Sequence, residues 1–109
     1  MKYMLLIYID ESEPGPAVLM PEYSQFTNGL QKSGKFVYAN RLQGPPRART
    51  VRVRDGKPLA MDGPFAETKE WLCGFYIVDC RDQDEALELG AKIPSARYGC
   101  IEVRPIADE

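Results

Sequence analysis

The most chemistry in the fewest positions lies at Asp62-Gly63-Pro64-Phe65-Ala66-Glu67-Thr68-Lys69-Glu70, a stretch holding a turn dipeptide, one fixed φ, one large ring and four charges. An apolar run, Trp71 to Val78, follows directly. The chain contains no histidine, so no side chain has an ordinary pKa near neutrality. Acid–base work would fall to a carboxylate, lysine, tyrosine or thiol shifted by burial or by a neighbouring charge. Asp62 is the candidate general base, because it ends a strand arm at a Gly-Pro turn with Phe65 and Trp71 near enough to desolvate it. An aspartate before glycine is equally ordinary turn chemistry, its carboxylate accepting from nearby amides. Both readings stand on the sequence.

Candidate ligand-binding side chains surround it. Phe65, Glu67, Lys69 and Trp71 come from the stretch itself and its continuation, and Arg41 and Arg49 from upstream. A guanidinium suits a carboxylate because it can donate two parallel hydrogen bonds. Arg47, Arg52 and Arg54 gather in the same region, although the last two also read as the polar face of a strand. Glu67, Lys69 and Glu70 read equally as a solvated surface. Cys73, Cys80 and Cys100 are an odd count without a CxxC pair, which does not fit a Cys/His zinc site. The expectation is three buried, reduced thiols, no nucleophile among them, and neither metal nor cofactor.

The elements that must position these residues are legible. The 109 residues, 44% apolar and 28% charged with a net charge of −2, form one globular domain spanning 1–109. No block of like charge is present, so direct nucleic-acid binding is not expected. Tyr3 to Ile9 is apolar but closed by Asp10-Glu11, too short to span a bilayer; the expectation is a cytoplasmic protein off the membrane. That run reads as a strand buried on both faces. Glu11 to Met20 is loop, with Pro14, Gly15 and Pro16. Pro21–Ser33 reads as a helix with Tyr23, Phe26, Thr27 and Leu30 on one face, stopped at Gly34. Phe36 to Leu42 is a strand. Thr50 to Arg54 and Lys57 to Met61 flank Asp55-Gly56, a hairpin signal because both turn positions need positive φ. Leu72 to Asp79 is the second fully apolar strand. Asp82 and Glu85 form a capping box for a helix bearing Ala86, Leu89, Gly90 and Ile93, and Cys100 to Pro105 is the last strand.

With the hairpin treated as an insertion, the order is βαββαβ, the ferredoxin-like α+β pattern: an antiparallel sheet with both helices on one face. The first and third main strands should be central. Both are apolar on both faces, Tyr3, Leu5, Ile7 and Ile9 alternating with Met4, Leu6 and Tyr8, and Cys73, Phe75 and Ile77 alternating with Leu72, Tyr76 and Val78. One apolar sheet face is therefore left without a helix, which points to a homodimer, closed face to face or with the hairpin wrapped on the partner, the alternative being a monomer whose loop Glu11 to Met20 folds over that face.

The stretch Asp62 to Glu70, together with Met1 to Tyr8, Gly74 to Val78 and Ile101 to Ile106, resembles the YCII-related family in its DGPF subgroup, and the resemblance runs along the whole chain. It implies a dimeric ferredoxin-like fold, the dimeric α/β-barrel, similar to muconolactone isomerase. It also implies, in some relatives, a His–Asp pair, with one branch linked to dehydrochlorination of a muconate-type substrate. Asp62 matches the aspartate; the histidine, expected around Tyr23–Ser24, is absent, so Tyr23 and Ser24 join the candidate substrate-binding residues. Members beside or fused to extracytoplasmic-function sigma factors imply a functional link of that kind. The favoured expectation is a homodimeric module that binds a small organic anion or regulates. The alternative is a lyase or isomerase on a small carboxylated substrate, with Asp62 as base and an arginine on the carboxylate.

Overall fold

A computed structural model describes residues 1–66 and 68–108. Strand β1 (Lys2–Asp10) leads through a loop to helix α1 (Met20–Lys32) and strand β2 (Phe36–Arg41). The ribbon β3 (Arg49–Arg54) and β4 (Lys57–Asp62) follows, then β5 (Glu70–Asp79), α2 (Gln83–Ala91) and β6 (Cys100–Pro105). The main sheet runs β2-β5-β1-β6, all antiparallel. The two continuously apolar strands are central, as their composition demands, and the ferredoxin-like order is obtained once the ribbon is set aside. No helix among the described residues is long and apolar enough to cross a membrane.

Both helices pack on one face of the sheet. Tyr23 and Leu30 from α1 and Ala86 and Leu89 from α2 meet Tyr3, Leu5, Ile7, Ile9 and Val78 in one buried cluster. Helix α1 begins with Pro21 in its first turn and has no side-chain cap; its packing, not its capping, holds it. Its far end closes through Lys35 N–H to Leu30 O at 2.9 Å, with Gly34 at φ 75°. Helix α2 is capped as expected at Asp82, whose Oδ1 accepts from Glu85 N–H at 2.9 Å. The reciprocal bond differs from the expectation: Glu85 Oε1 accepts from the Arg81 amide at 3.0 Å, one residue before the cap. Its Oε2 pairs with Lys35 Nζ at 3.1 Å, so this carboxylate, 6% exposed, also ties the end of α1 to the start of α2.

One alternation is overturned. Ile7 pairs with Gly74 while Tyr8 pairs with Leu72, so Cys73 is an extra residue in β5. The bulge exchanges the faces beyond it: Cys73 lies with Tyr76 and Val78 under the helices, and Leu72 lies with Phe75 and Ile77 on the open face. That open face also carries Met4, Leu6, Tyr8 and Tyr38, the last 6.0 Å from the Phe75 ring. The thiol expectation is corrected too: Cys73 and Cys80 are buried, but Cys100 is exposed, because it stands on the open face of edge strand β6, opposite Tyr8.

The ribbon turns at Asp55 and Gly56, with φ of 52° and 73°, the positive pair the hairpin requires. It stands away from the sheet, leaving Val51, Val53, Leu59 and Met61 exposed. The Cα radius of gyration is accordingly 15.6 Å, against about 13 Å for a compact chain of this length.

The Arg81 amide and the Lys35 ammonium hold the Glu85 carboxyl below its ordinary 4.5. A depressed folded-state pKa adds stability that is complete above the unfolded value and lost as pH falls through the folded one. Melting temperature should therefore drop as pH falls below about 4.5, and Glu85→Gln should melt lower at pH 7 with a shallower acid limb. An unchanged acid limb in calorimetric melts would remove Glu85 from this role.

Candidate functional site

Helix α1 does not lie flat on the sheet along its whole length. Between it and the β2–β5 edge is a cavity of about 430 Å³. The helix presents Tyr23, Ser24 and Thr27 to it at helical spacing, and the sheet presents Cys73 and Tyr76. Arg41, at the end of β2, is the one charged side chain among the described residues lining it. Gly74 lets β2 approach β5 closely at this wall, since a Cβ there would stand 2.9 Å from Asn40 O.

The hydroxyls are ordered in advance. Tyr23 Oη lies 2.6 Å from Ser95 Oγ, which is itself fully buried. Tyr76 Oη lies 2.8 Å from Thr27 Oγ1. Tyr76 is flanked by Tyr23, stacked at 6.3 Å, and by Phe26, edge-on at 5.1 Å. Burial pushes the Tyr23 phenol up to about 12 and the Cys73 thiol up to about 11. Both are neutral at pH 7: donors and acceptors, not acids, bases or nucleophiles. The cavity can therefore recognise oxygen-bearing groups and attract negative charge through Arg41.

The other candidates fall elsewhere. Asp62 ends β4 with its side chain 94% exposed, its Oδ1 3.1 Å from Arg49 Nε. No apolar wall from the described residues covers it, so the desolvation expected from Phe65 and Trp71 is not realised within one chain. Phe65 instead lies under the Arg52 guanidinium at 5.1 Å. Lys69 reaches Asp10 at 3.8 Å. Phe65, Lys69 and Trp71 share the wall of a different cavity, under the stretch that follows Asp62. Glu67 lies outside the described residues. The described residues of the stretch that looked like one site thus divide between a ribbon end and a loop, while Tyr23, Ser24 and Arg41 come together apart from them. Thr27, Cys73 and Tyr76 were missed as cavity residues; Thr27 was visible on the same helical face as Tyr23, but Cys73 needed the bulge.

The YCII-related domain family matches residues 1–109, and the chain belongs to that family. An uncharacterized protein of Rhizobium meliloti (strain 1021) is 38% identical over 98% of this chain and 93% of that protein. Among solved structures, 5-chloro-2-hydroxyhydroquinone dehydrochlorinase from Burkholderia phenoliruptrix AC1100, in complex with 2,5-dihydroxybenzoquinone, has a TM-score of 0.56. It covers 100% of this chain and 96% of its own at 14% identity, a likeness of fold.

The thiols give a direct check on the site's chemistry. Burial, together with the Glu70 carboxylate whose Oε1 is 3.8 Å away, raises the Cys100 thiol. Iodoacetamide should leave Cys73 and Cys80 of the folded protein unlabelled, both reacting only after unfolding. Rapid labelling of Cys73 in peptide mass maps would contradict the neutral, enclosed thiol described here.

Proposed function

We propose that this YCII-related domain, of the DGPF subgroup, binds a small, oxygen-bearing organic anion in the cavity between α1 and the β2–β5 edge. The observation that carries the reading is the lining of that cavity: one arginine, partnered hydroxyls of fixed orientation and apolar rings, with no group of the described lining poised to move a proton. Arg41 takes the carboxylate, Ser24 and the phenols address its other oxygens, and the aromatic walls hold the carbon skeleton. A binding or regulatory role, with a functional link to an extracytoplasmic-function sigma factor, accords with such a site. The catalytic reading, a lyase or isomerase with Asp62 as base, has less support, since that carboxylate is 94% exposed and already paired with Arg49.

The same reading includes a homodimer of the dimeric α/β-barrel type. Support comes from the open sheet face, where Met4, Leu6, Phe75 and Ile77 have no helix above them. It comes also from the exposed ribbon, since a lone two-stranded ribbon is marginal in water. The two halves are joined by their open faces, and the ribbon reaches over the partner. Light scattering at micromolar concentration should give twice the chain mass of 12.3 kDa; a single-chain mass overturns the dimer.

For the ligand site, a thermal-shift screen of small organic acids should yield a stabilising compound. Arg41→Met should weaken it about tenfold or more, the loss of a charge-assisted pair. Asp62→Asn should leave binding unchanged and reveal no turnover. Binding indifferent to Arg41, or turnover of the hit that Asp62→Asn abolishes, would replace this reading by the catalytic one.

A further inference from the structure

The ribbon of β3 and β4 has two unlike faces. Side chains alternate along a strand, and directly paired residues point the same way, so the register assigns each one. One face carries Val51 and Val53 with their partners Ala60 and Pro58, and at its base Arg49 with Asp62. The other carries Arg52, Arg54 and Lys57 with Leu59 and Met61. The ribbon pairs with no strand of the main sheet, and Val51 and Val53 are 65% and 62% exposed.

Covering the two faces has different consequences. The second is backed in part by the chain's own loop: Thr50 Oγ1 donates to Gly63 O at 2.9 Å, and the Arg52 guanidinium lies over the Phe65 ring. Arg52, Arg54 and Lys57 form no ion pair among the described residues, so covering that face would desolvate three unpaired charges. The valine face escapes this penalty, because its two charges, Arg49 and Asp62, already pair with each other at 3.1 Å. Charge also points to what covers it. From Arg49 to Asp62 the ribbon holds four cations and two carboxylates. The open face of the main sheet is apolar around Met4, Leu6 and Phe75 and ends in Asp10, Glu70 and Glu102; Lys69, 3.8 Å from Asp10, offsets one of these three. A second copy therefore presents an apolar surface to the valines and negative charge to the cations that flank them.

We infer that the valine face of the ribbon docks on the open sheet face of a second copy and encloses the Arg49–Asp62 pair beneath it. This rests on the homodimer proposed above and gives Asp62 a role in assembly. In one chain the pair stands in water and contributes little. Under a second copy it is desolvated, and removing one member would leave the other charge enclosed and unpaired.

Sedimentation equilibrium over a dilution series measures the dissociation constant of the dimer, and circular dichroism checks that each variant is folded. Val51→Ser with Val53→Ser changes side chains outside the buried core. It should leave the fold intact and raise the dissociation constant about tenfold or more. Leu59→Ser, on the opposite face, should keep it within about twofold of the parent. Asp62→Ala should raise it about tenfold or more by leaving Arg49 unpaired, and Arg49→Leu added to Asp62→Ala should recover most of that loss. A parent that sediments as a single chain overturns this inference together with the dimer. The inference alone falls, and a dimer of joined open faces stands, under any of three results with a dimeric parent: the double valine variant dissociates no more readily, Leu59→Ser weakens the dimer as much, or Asp62→Ala leaves it unchanged.

Discussion

The structure depends on one pairing, the antiparallel ladder between β1 and β5. Both strands are apolar on both faces, so neither can sit at a sheet edge without exposing a row of large side chains. Placing them side by side at the centre fixes β2 and β6 as edges and leaves room for helices on one face only. The bulge at Cys73 is the one irregularity along this ladder. It brings Cys73 under the helices in register with Tyr76 and Val78, where Cys73 joins the lining of the cavity.

The two faces of the ladder have opposite fates. The helix-covered face forms the core, closed at one end by the Lys35–Glu85–Arg81 group, where a nearly buried carboxylate accepts from a backbone amide and pairs with two cations. That arrangement holds because the charge is compensated on every side; a carboxylate buried there alone would be costly. The open face has no such closure within the chain. Its apolar centre grades into polar residues at β6, where Tyr8 Oη lies 3.3 Å from Glu102 Oε1.

Charge is distributed with the same economy. Exposed pairs such as Arg49–Asp62 and Arg97–Glu22 contribute little to stability in water. Arg41 differs from them because it borders the cavity under α1, where a guanidinium facing a partly enclosed space attracts an anion more strongly than one in bulk solvent. Beyond the end of β2, Leu42 N–H donates to Cys73 O and holds the chain against the bulge of β5.

The sequence by itself determined the order of elements, the central strands, the Asp82 cap and the hairpin, because each rests on local chemistry: apolar runs, Asp82 before a helix, Asp55-Gly56 between alternating strands. It also nominated Tyr23, Ser24 and Arg41 as candidate binding residues, the first two through a family resemblance and not through any pattern of their own, and the three line one cavity. The tertiary structure alone decided how those residues combine. Strict alternation put Cys73 on the wrong face, because a bulge is one extra residue whose cost is recovered only by packing across the sheet. Adjacency along Asp62 to Trp71 suggested one site, but a strand end delivers its side chains to solvent while the residues after it turn back under a loop. Neighbours in sequence share a site only when the backbone between them keeps one direction, and here it turns at Gly63, with φ of 95°.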